Sequence, residues 1–513
     1  MTEVFADSKH FVDMPIKRNS STEFQASKSH SHDHVVELRA FLDDHFDPPG
    51  SDLIPITPLD FQAHTLPPMI AAIQDDTLRD WAFSLHQLWK NLGRVPEQSL
   101  HSSFLHARAL AKAPLKRTQN SYYWDSYWIV QGLLVSHMHH TARGVVNNLL
   151  EYVAEFGFVP NGGRVYYLTR SQPPMLTSMV QLVARIEYDA SYLAAAVPIL
   201  DNEYRFWMQR GPSGHTVEIE RHDAVTGRTV THVLNRYVSH ADHPRPESYR
   251  EDVAVATEIF EANKTMYYND VIAAAESGWD FSSRWLRDPQ DMRTMATSCI
   301  VPVDLNAILF KVERTLMEFH RYLGHTKRAA FYEDAAVRRA RAIDAVLWSD
   351  EHQAWKDWNL ETSAHSTIVS VSDYTPLWAK VVDRRDTKRL DRIVQSLQDS
   401  GLHQVGGIQT TTTFTGQQWD APNAWPPEQD LIIEGLLEAN TAASHELARS
   451  LLQTWVRTGL VAWQKTGLMF EKYNATEVGG LGVGGEYFPQ FGFGWTNGVI
   501  LKFLTIHQNL LLN

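Results

Sequence analysis

Residues 304–324 read DLNAILFKVERTLMEFHRYLG. Leu305, Ile308, Leu309, Val312, Leu316 and Phe319 recur at three- and four-residue spacing, which puts them on one face of an α-helix. Asp304 is placed to cap its start, because a short carboxylate can accept an unpaired backbone N–H. Gly324 is placed to end it, because glycine takes the left-handed C-cap conformation without steric cost. The same period predicts helices over Thr77 to Leu92, Val145 to Phe156, Met175 to Met208, Lys327 to Trp348, Lys388 to Leu397, Glu428 to Ala439, His445 to Trp463 and Val499 to Leu512. Strand signal is sparse. Its best case is Thr216 to Val238, where VEIE and TVTHVL alternate around Thr226-Gly227 and predict one β-hairpin on a helical body. No fixed-length repeat occurs, so helix pairs around a centre fit better than a regular solenoid.

A chain of 513 residues exceeds one ordinary core, which leaves two or three domains or one large toroidal domain. A net charge of −13 disfavours nucleic acid or an anionic membrane as partner, since both need a basic surface. No apolar run is long enough for a transmembrane helix. The only cysteine is Cys299, so no intramolecular disulfide and no multi-thiolate metal site can form. A single Cys and a polar start favour the cytoplasm, and three formal glycosylation sequons, at Asn19, Asn263 and Asn474, keep secretion open. Residues 17–35 are polar and carry alternating His30, His32 and His34, a pattern read as a mobile solvated segment rather than a metal site.

Between Glu471 and Gly498 seven glycines fall within sixteen residues, interleaved with Tyr487, Phe488, Phe491, Phe493 and Trp495 and accompanied by Glu471, Glu477 and Glu486. Flexible linkers lack such rings, so this reads as a shaped loop over a site. Aromatic faces pack against the C–H faces of a pyranose while carboxylates take its hydroxyls, which points to a sugar. Four other segments share the signature, at Ser121 to Trp128, Pro160 to Pro174, Glu276 to Trp285 and Gln418 to Pro427. A single Trp-Asp pair is most often a core Trp beside a capping Asp. Three such pairs, at Asp125, Asp280 and Asp420, favour a shared site.

QWDAPNAWPP (418–427) and GGEYFPQFGFGWTNG (484–498) resemble the second signature and the glycine-rich motif of trehalases, glycoside hydrolase family 37. DSKHFVDM, PNGGRVYYLTRSQPP, RPESY and ESGWDFSSRW extend the resemblance over nearly the whole chain, in order. One departure stands out: the family's Pro-Gly-Gly-Arg-Phe run is replaced by Pro114 to Thr118, which keeps Arg117 and loses the glycines.

The resemblance implies an all-α (α/α)6 barrel as a single domain over residues 1–513, a monomer that hydrolyses α,α-trehalose to two glucose molecules with inversion, without cofactor or metal. It assigns Asp280 as general acid and Glu471 as general base. The substrate-binding shell it implies is Arg117, Trp124, Asp125, Asn161, Arg170, Gln172, Arg245, Glu247, Gly278 and Glu486, with Arg284, Trp419 and Asp420 added from matching motifs. From the residues alone Glu486 serves as base as well as Glu471. Another inverting α-glucosidase on the same barrel and a non-catalytic trehalose-binding protein are the alternatives. Inversion calls for carboxyl groups roughly 6.5 to 9.5 Å apart. The acid is expected in a dry setting of Trp279, Phe281 and Trp285, and the base in a wetter one.

Overall fold

The structure, a computed structural model, describes residues 4–5, 8–17, 33–96, 103, 105, 122–187, 189–223, 227–486 and 489–511. Arg117 therefore lies outside the described residues. So does most of the polar segment near 17–35, whose last part opens the helix Asp33–His45.

Twelve of the helices alternate along the chain between an outer and an inner position. They are α1 (Asp76–Leu88), α2 (Asp125–Val135), α3 (His139–Phe156), α4 (Leu176–Glu187), α5 (Ala190–Trp207), α6 (Val303–Tyr322), α7 (Thr326–Ala342), α8 (Thr375–Ala379), α9 (Thr387–Asp399), α10 (Pro426–Ala439), α11 (Ala442–Thr466) and α12 (Gly494–Thr505). The even-numbered helices touch in sequence, α2 to α4, α6, α8, α10 and α12, and α12 packs back on α2, so they close a ring of six. The odd-numbered helices pack on its outside. This is the expected (α/α)6 barrel. The expected hairpin pairs β1 (Thr216–Asp223) with β2 (Arg228–Asn235) in antiparallel register from Thr216 opposite Asn235 to Asp223 opposite Arg228.

Position in the barrel explains composition. In α9 only Leu390, Ile393, Val394 and Leu397 are buried, one stripe of an otherwise charged helix. In α12 every residue from Gly494 to Thr505 is buried, because an inner helix meets protein on all sides. Helix ends follow local chemistry. Asp189 caps α5, Asp386 caps α9, and Thr441 with Ser444 forms a reciprocal capping box on α11. The continuous helix expected over Met175 to Met208 is two helices, since the Asp189 carboxylate starts a new one.

Asp304 does not cap α6. The helix begins at Val303 after Pro302, and the Asp304 carboxylate, besides accepting from the Leu305 N–H at 2.8 Å inside the first turn, meets the Arg284 guanidinium in two contacts of 2.7 and 3.0 Å. A buried guanidinium costs more to leave unpaired than a helix terminus does.

The ring closes where α2 meets α12. A Cβ built on Gly132 would stand 2.6 Å from the Gly498 Cα, and one built on Gly498 would stand 2.0 Å from the Trp128 carbonyl oxygen. Beside this contact the Asp430 carboxylate of α10 accepts from Trp128 Nε1 of α2 at 3.0 Å and from Lys502 Nζ of α12 at 2.6 Å, tying three inner helices together. Gly498→Ala should destabilise the fold by about 1–3 kcal/mol or more, because the helices must separate to admit one methyl. A lowered midpoint of thermal unfolding checks this.

A second buried pair ties outer to inner helices. Tyr123, just before α2, donates to Glu203 of α5, and its hydroxyl accepts from the Leu176 N–H that opens α4. Burial pushes the Glu203 carboxyl up from 4.5 to about 7. With the folded value above the unfolded one, the stabilising proton is fully bound below pH 4.5 and lost as pH rises through 7. Glu203→Gln should remove a pH-dependent loss on the order of 3 kcal/mol. Melting curves of the two proteins from pH 5 to 8 should diverge, the variant losing less.

Candidate active site

Four of the six inner helices present their N-terminal ends to one mouth. Trp124 immediately precedes α2, Gln172 stands ahead of α4, Trp425 precedes α10, and Phe493 and Trp495 flank the start of α12. These residues line one cavity of about 170 Å³ with Asp125, Asn161, Arg170, Arg245, Glu247, Gly278, Asp280, Trp419, Glu471 and Glu486. The distant segments that the sequence singled out thus converge.

Asp280 is carried on a loop held rigid from behind. Gly278 has φ +78°, and a Cβ there would stand 2.8 Å from the Trp124 ring, so no other residue fits without displacement. Trp279 stacks on Trp419 at 5.3 Å, and Trp419 on Trp425 at 4.1 Å with the rings nearly parallel, an aromatic wall beside the carboxylate. Gln418 Nε2 donates to the Asp280 carbonyl oxygen.

Arg284 and Asp420 do not line the cavity. Arg284 is buried behind the wall, bonded to Asp304 and, at 2.5 and 2.9 Å, to Asp357, and it lies over the Trp279 and Trp285 rings at 4.6 and 4.5 Å. Asp420 accepts from the Ser283 N–H at 2.7 Å and from the hydroxyls of Ser282, Ser283, Thr411 and Thr415. Both residues fix the loop that carries Asp280. The sequence resemblance marked the right segments without separating the wall from its support.

Glu471 is reached from the glycine-rich stretch. Its N–H donates to the Gln490 carbonyl at 2.9 Å, the Gln490 N–H donates to its Oε2 at 3.1 Å, and Trp495 Nε1 donates to its carbonyl at 3.1 Å. The two carboxylates differ from expectation in burial. Trp279, Phe281 and Trp285 are buried, as expected, but Asp280 itself is partly exposed to the cavity, while Glu471 is 2% exposed. The glycine-rich stretch folds over Glu471, whereas Asp280 projects from its loop into the opening.

Two arginines organise the polar side. Arg170 donates to Asn161 Oδ1 at 2.7 Å and to Glu247 Oε1 at 2.6 Å. Burial raises the Glu247 carboxyl, and Arg170 and Arg245 outweigh that and hold it below the usual value. Arg245 grips Asp252 at 2.6 and 3.0 Å and reaches Glu486 Oε1 at 3.0 Å. Burial pushes Glu486 up, and Arg245 only partly offsets this. Two buried atoms here, Arg170 Nη1 and Glu247 Oε2, have no hydrogen-bond partner. A buried donor and acceptor left open at a cavity are positioned for hydroxyls of a ligand.

Sequence reasoning missed several lining residues, among them Lys9, Tyr122, Tyr167, Glu251 and Gln490. Lys9 Nζ donates to the hydroxyls of Tyr166 at 2.8 Å and Tyr167 at 3.1 Å, which docks the helix Ser8–Val12 at the rim. The signal was available, since DSKHFVDM and RVYY both belong to the resemblance and no role was given to these residues.

A toroid of paired helices with several carboxylates, an aromatic wall and an arginine-organised polar face at its mouth is the architecture of a glycoside hydrolase. The trehalase family profile matches residues 3–508. A probable trehalase of Oryza sativa subsp. japonica is 38% identical over 97% of this chain and 91% of its own. Human trehalase is 39% identical over 98% of this chain and 86% of its own. Among solved structures, neutral trehalase from Saccharomyces cerevisiae superposes with a TM-score of 0.62 at 23% identity, covering 78% of this chain and 73% of that one. A mannosylglycerate hydrolase of glycoside hydrolase family 63 from Thermus thermophilus superposes at 0.53 with 17% identity, covering 83% and 99%, and shares the fold. The chain belongs to the trehalase family. It is a glycoside hydrolase whose substrate is the small sugar trehalose.

The glycine-rich loop reaches Asp280 through one relay. Gly484 has φ +71°, and a Cβ there would stand 2.2 Å from the Gly416 carbonyl oxygen; Gly485 packs on the Gln418 side chain that holds the Asp280 carbonyl. Gly484→Ala should displace the loop and lower kcat about 100-fold, the scale of a 1 Å misplacement, with little change in melting temperature. Steady-state kinetics beside a melting curve separate this from a merely structural loop, which would lose stability first.

Proposed function

We propose that the enzyme cleaves trehalose by single displacement with inversion, with Asp280 as general acid and Glu471 as general base. The Asp280 carboxyl gives its proton to the glycosidic oxygen as the C1–O bond breaks, and the leaving glucose departs neutral. Glu471 takes a proton from a water whose oxygen attacks C1 from the opposite face. The oxocarbenium-like transition state is thereby served by one protonated and one ionised carboxyl.

The observation that carries this reading is the meeting of Asp280 and Glu471, from segments 191 residues apart, in one cavity whose lining includes Arg170 and Glu247, each with a buried polar atom left unpaired. The partly exposed position of Asp280 suits a group that must touch the glycosidic oxygen. The N–H of Gln490 on Glu471 Oε2 orients the base. Trp419 and Trp425 border the place of the pyranose with Phe493 and Trp495, and Asn161, Arg170, Gln172, Arg245, Glu247 and Glu486 are its polar contacts, with Trp124 and Asp125 at the rim of the first inner helix. Arg117 belongs to the same set by its motif.

The same reading takes residues 1–513 as one catalytic domain acting as a monomer, without a nucleic-acid partner, in keeping with the charge of −13. Asp280→Asn and Glu471→Gln should each lower kcat by on the order of a hundredfold to ten-thousandfold while leaving the melting curve intact. Proton NMR at early times should show one β- and one α-glucose per trehalose cleaved. Two α-anomers, or near-normal turnover in either variant, would falsify the assignment.

A further inference from the structure

We propose that a second cavity, at the opposite end of the barrel from the catalytic one, binds a small phosphate-bearing molecule, with its phosphate held by Arg185 of α4 and Lys311 and Arg314 of α6. This cavity lies among the C-terminal halves of the inner helices and measures about 1130 Å³, large enough for a metabolite.

The argument rests on charge left unpaired. Of the four carboxylates lining this cavity, Glu434 is taken by Lys502 at 2.7 Å and His507 at 2.6 Å, Glu438 by Lys380 at 2.8 Å and by Arg384, and Asp383 by Arg385. Glu318 accepts only a long contact from Gln181 at 3.5 Å. Arg185, Lys311 and Arg314 have neither a hydrogen-bond nor a carboxylate partner among the described residues; Lys311 Nζ stands 4.1 Å over the Trp378 ring. Three open cations thus face one cavity in a protein of net charge −13.

Cations near helix C-termini ordinarily balance the helix dipole, and Arg185, in the last turn of α4, is placed for that. Lys311 and Arg314 are not, because α6 continues two to three turns beyond them to Tyr322. Burial, followed by the like charges of Lys380 and Lys502, pushes the Lys311 ammonium down to about 8 even with Glu434 nearby. An anion between Arg185 and α6 would relieve that repulsion. Two guanidinium forks suit a phosphate's several oxygens better than a single carboxylate. Leu134, Leu182 and Val381 give the remaining wall an apolar surface for an organic group.

The test uses the full-length enzyme, titrated calorimetrically with inorganic phosphate and separately with glucose 6-phosphate, with and without saturating trehalose analogue in the catalytic cavity. Saturable binding of either probe, unaffected by the analogue and weakened at least about tenfold in Arg185→Ser/Arg314→Ser, supports the site. Tighter binding of glucose 6-phosphate assigns an ester, and equal or tighter binding of phosphate assigns the free ion. Both arginines are exposed, so that variant should fold and keep trehalose turnover; Lys311→Met, which preserves the contact with Trp378, is the second variant and should weaken binding likewise. No saturable binding of either probe, binding displaced by the analogue, or binding unchanged in both variants overturns the proposal.

Discussion

A ring of helices made from one chain holds only if its last inner helix finds its first. Here α12 lies on α2 at a separation that glycine alone permits, at Gly132 and Gly498. The buried Asp430, shared between Trp128 and Lys502, fixes their register with α10. An ion pair in such a place contributes little net stability after desolvation, yet it is costly to break on one side only, so it selects one arrangement of three helices. The catalytic mouth follows from that arrangement, since Trp124 and Trp495 sit one residue outside and one inside the ends of the two helices that meet.

A second tier of buried charge stands behind the cavity. Arg284, paired with Asp304 and Asp357, and Asp420, with its ring of hydroxyls, pin the residues that follow Asp280 in its loop. Neither touches the cavity. Their effect is to leave the loop of Asp280 few conformations, which is what the proposed role of Asp280 as proton donor requires. The cost is a set of desolvated charges, and each is met by an opposite charge or several donors.

How much of this was legible in the sequence depended on how each element meets solvent. Helices with one wet face announce themselves, as Leu390, Ile393, Val394 and Leu397 do in α9. Inner helices buried all round lose the polar half of the pattern, so α2 carried no helical period and α12 was read to start five residues late. The five-residue α8 is too short for any period. The Asp280 loop, the glycine-rich stretch and the arginine motifs were legible through composition and resemblance, and they do meet at one mouth. Partners brought in from elsewhere in the chain were not: nothing local marks Asp357, 73 residues on, as a counterion of Arg284, or turns Asp304 from a helix cap into a clamp on the same guanidinium. The relative burial of Asp280 and Glu471 was misread for the same reason, because the cover over Glu471 comes from residues nearly twenty positions downstream.

The seam between α2 and α12 also orders events during synthesis. The segment that completes the ring leaves the ribosome after every other inner helix, so a nascent chain lacking Gly494 to Thr505 leaves the apolar flank of α2, with Trp128, Ile129 and Val130, without its cover. Such surface is what holding chaperones bind. Translation therefore leaves this face of the first inner helix bare until the twelfth helix has emerged, an interval in which a holding chaperone has surface to bind.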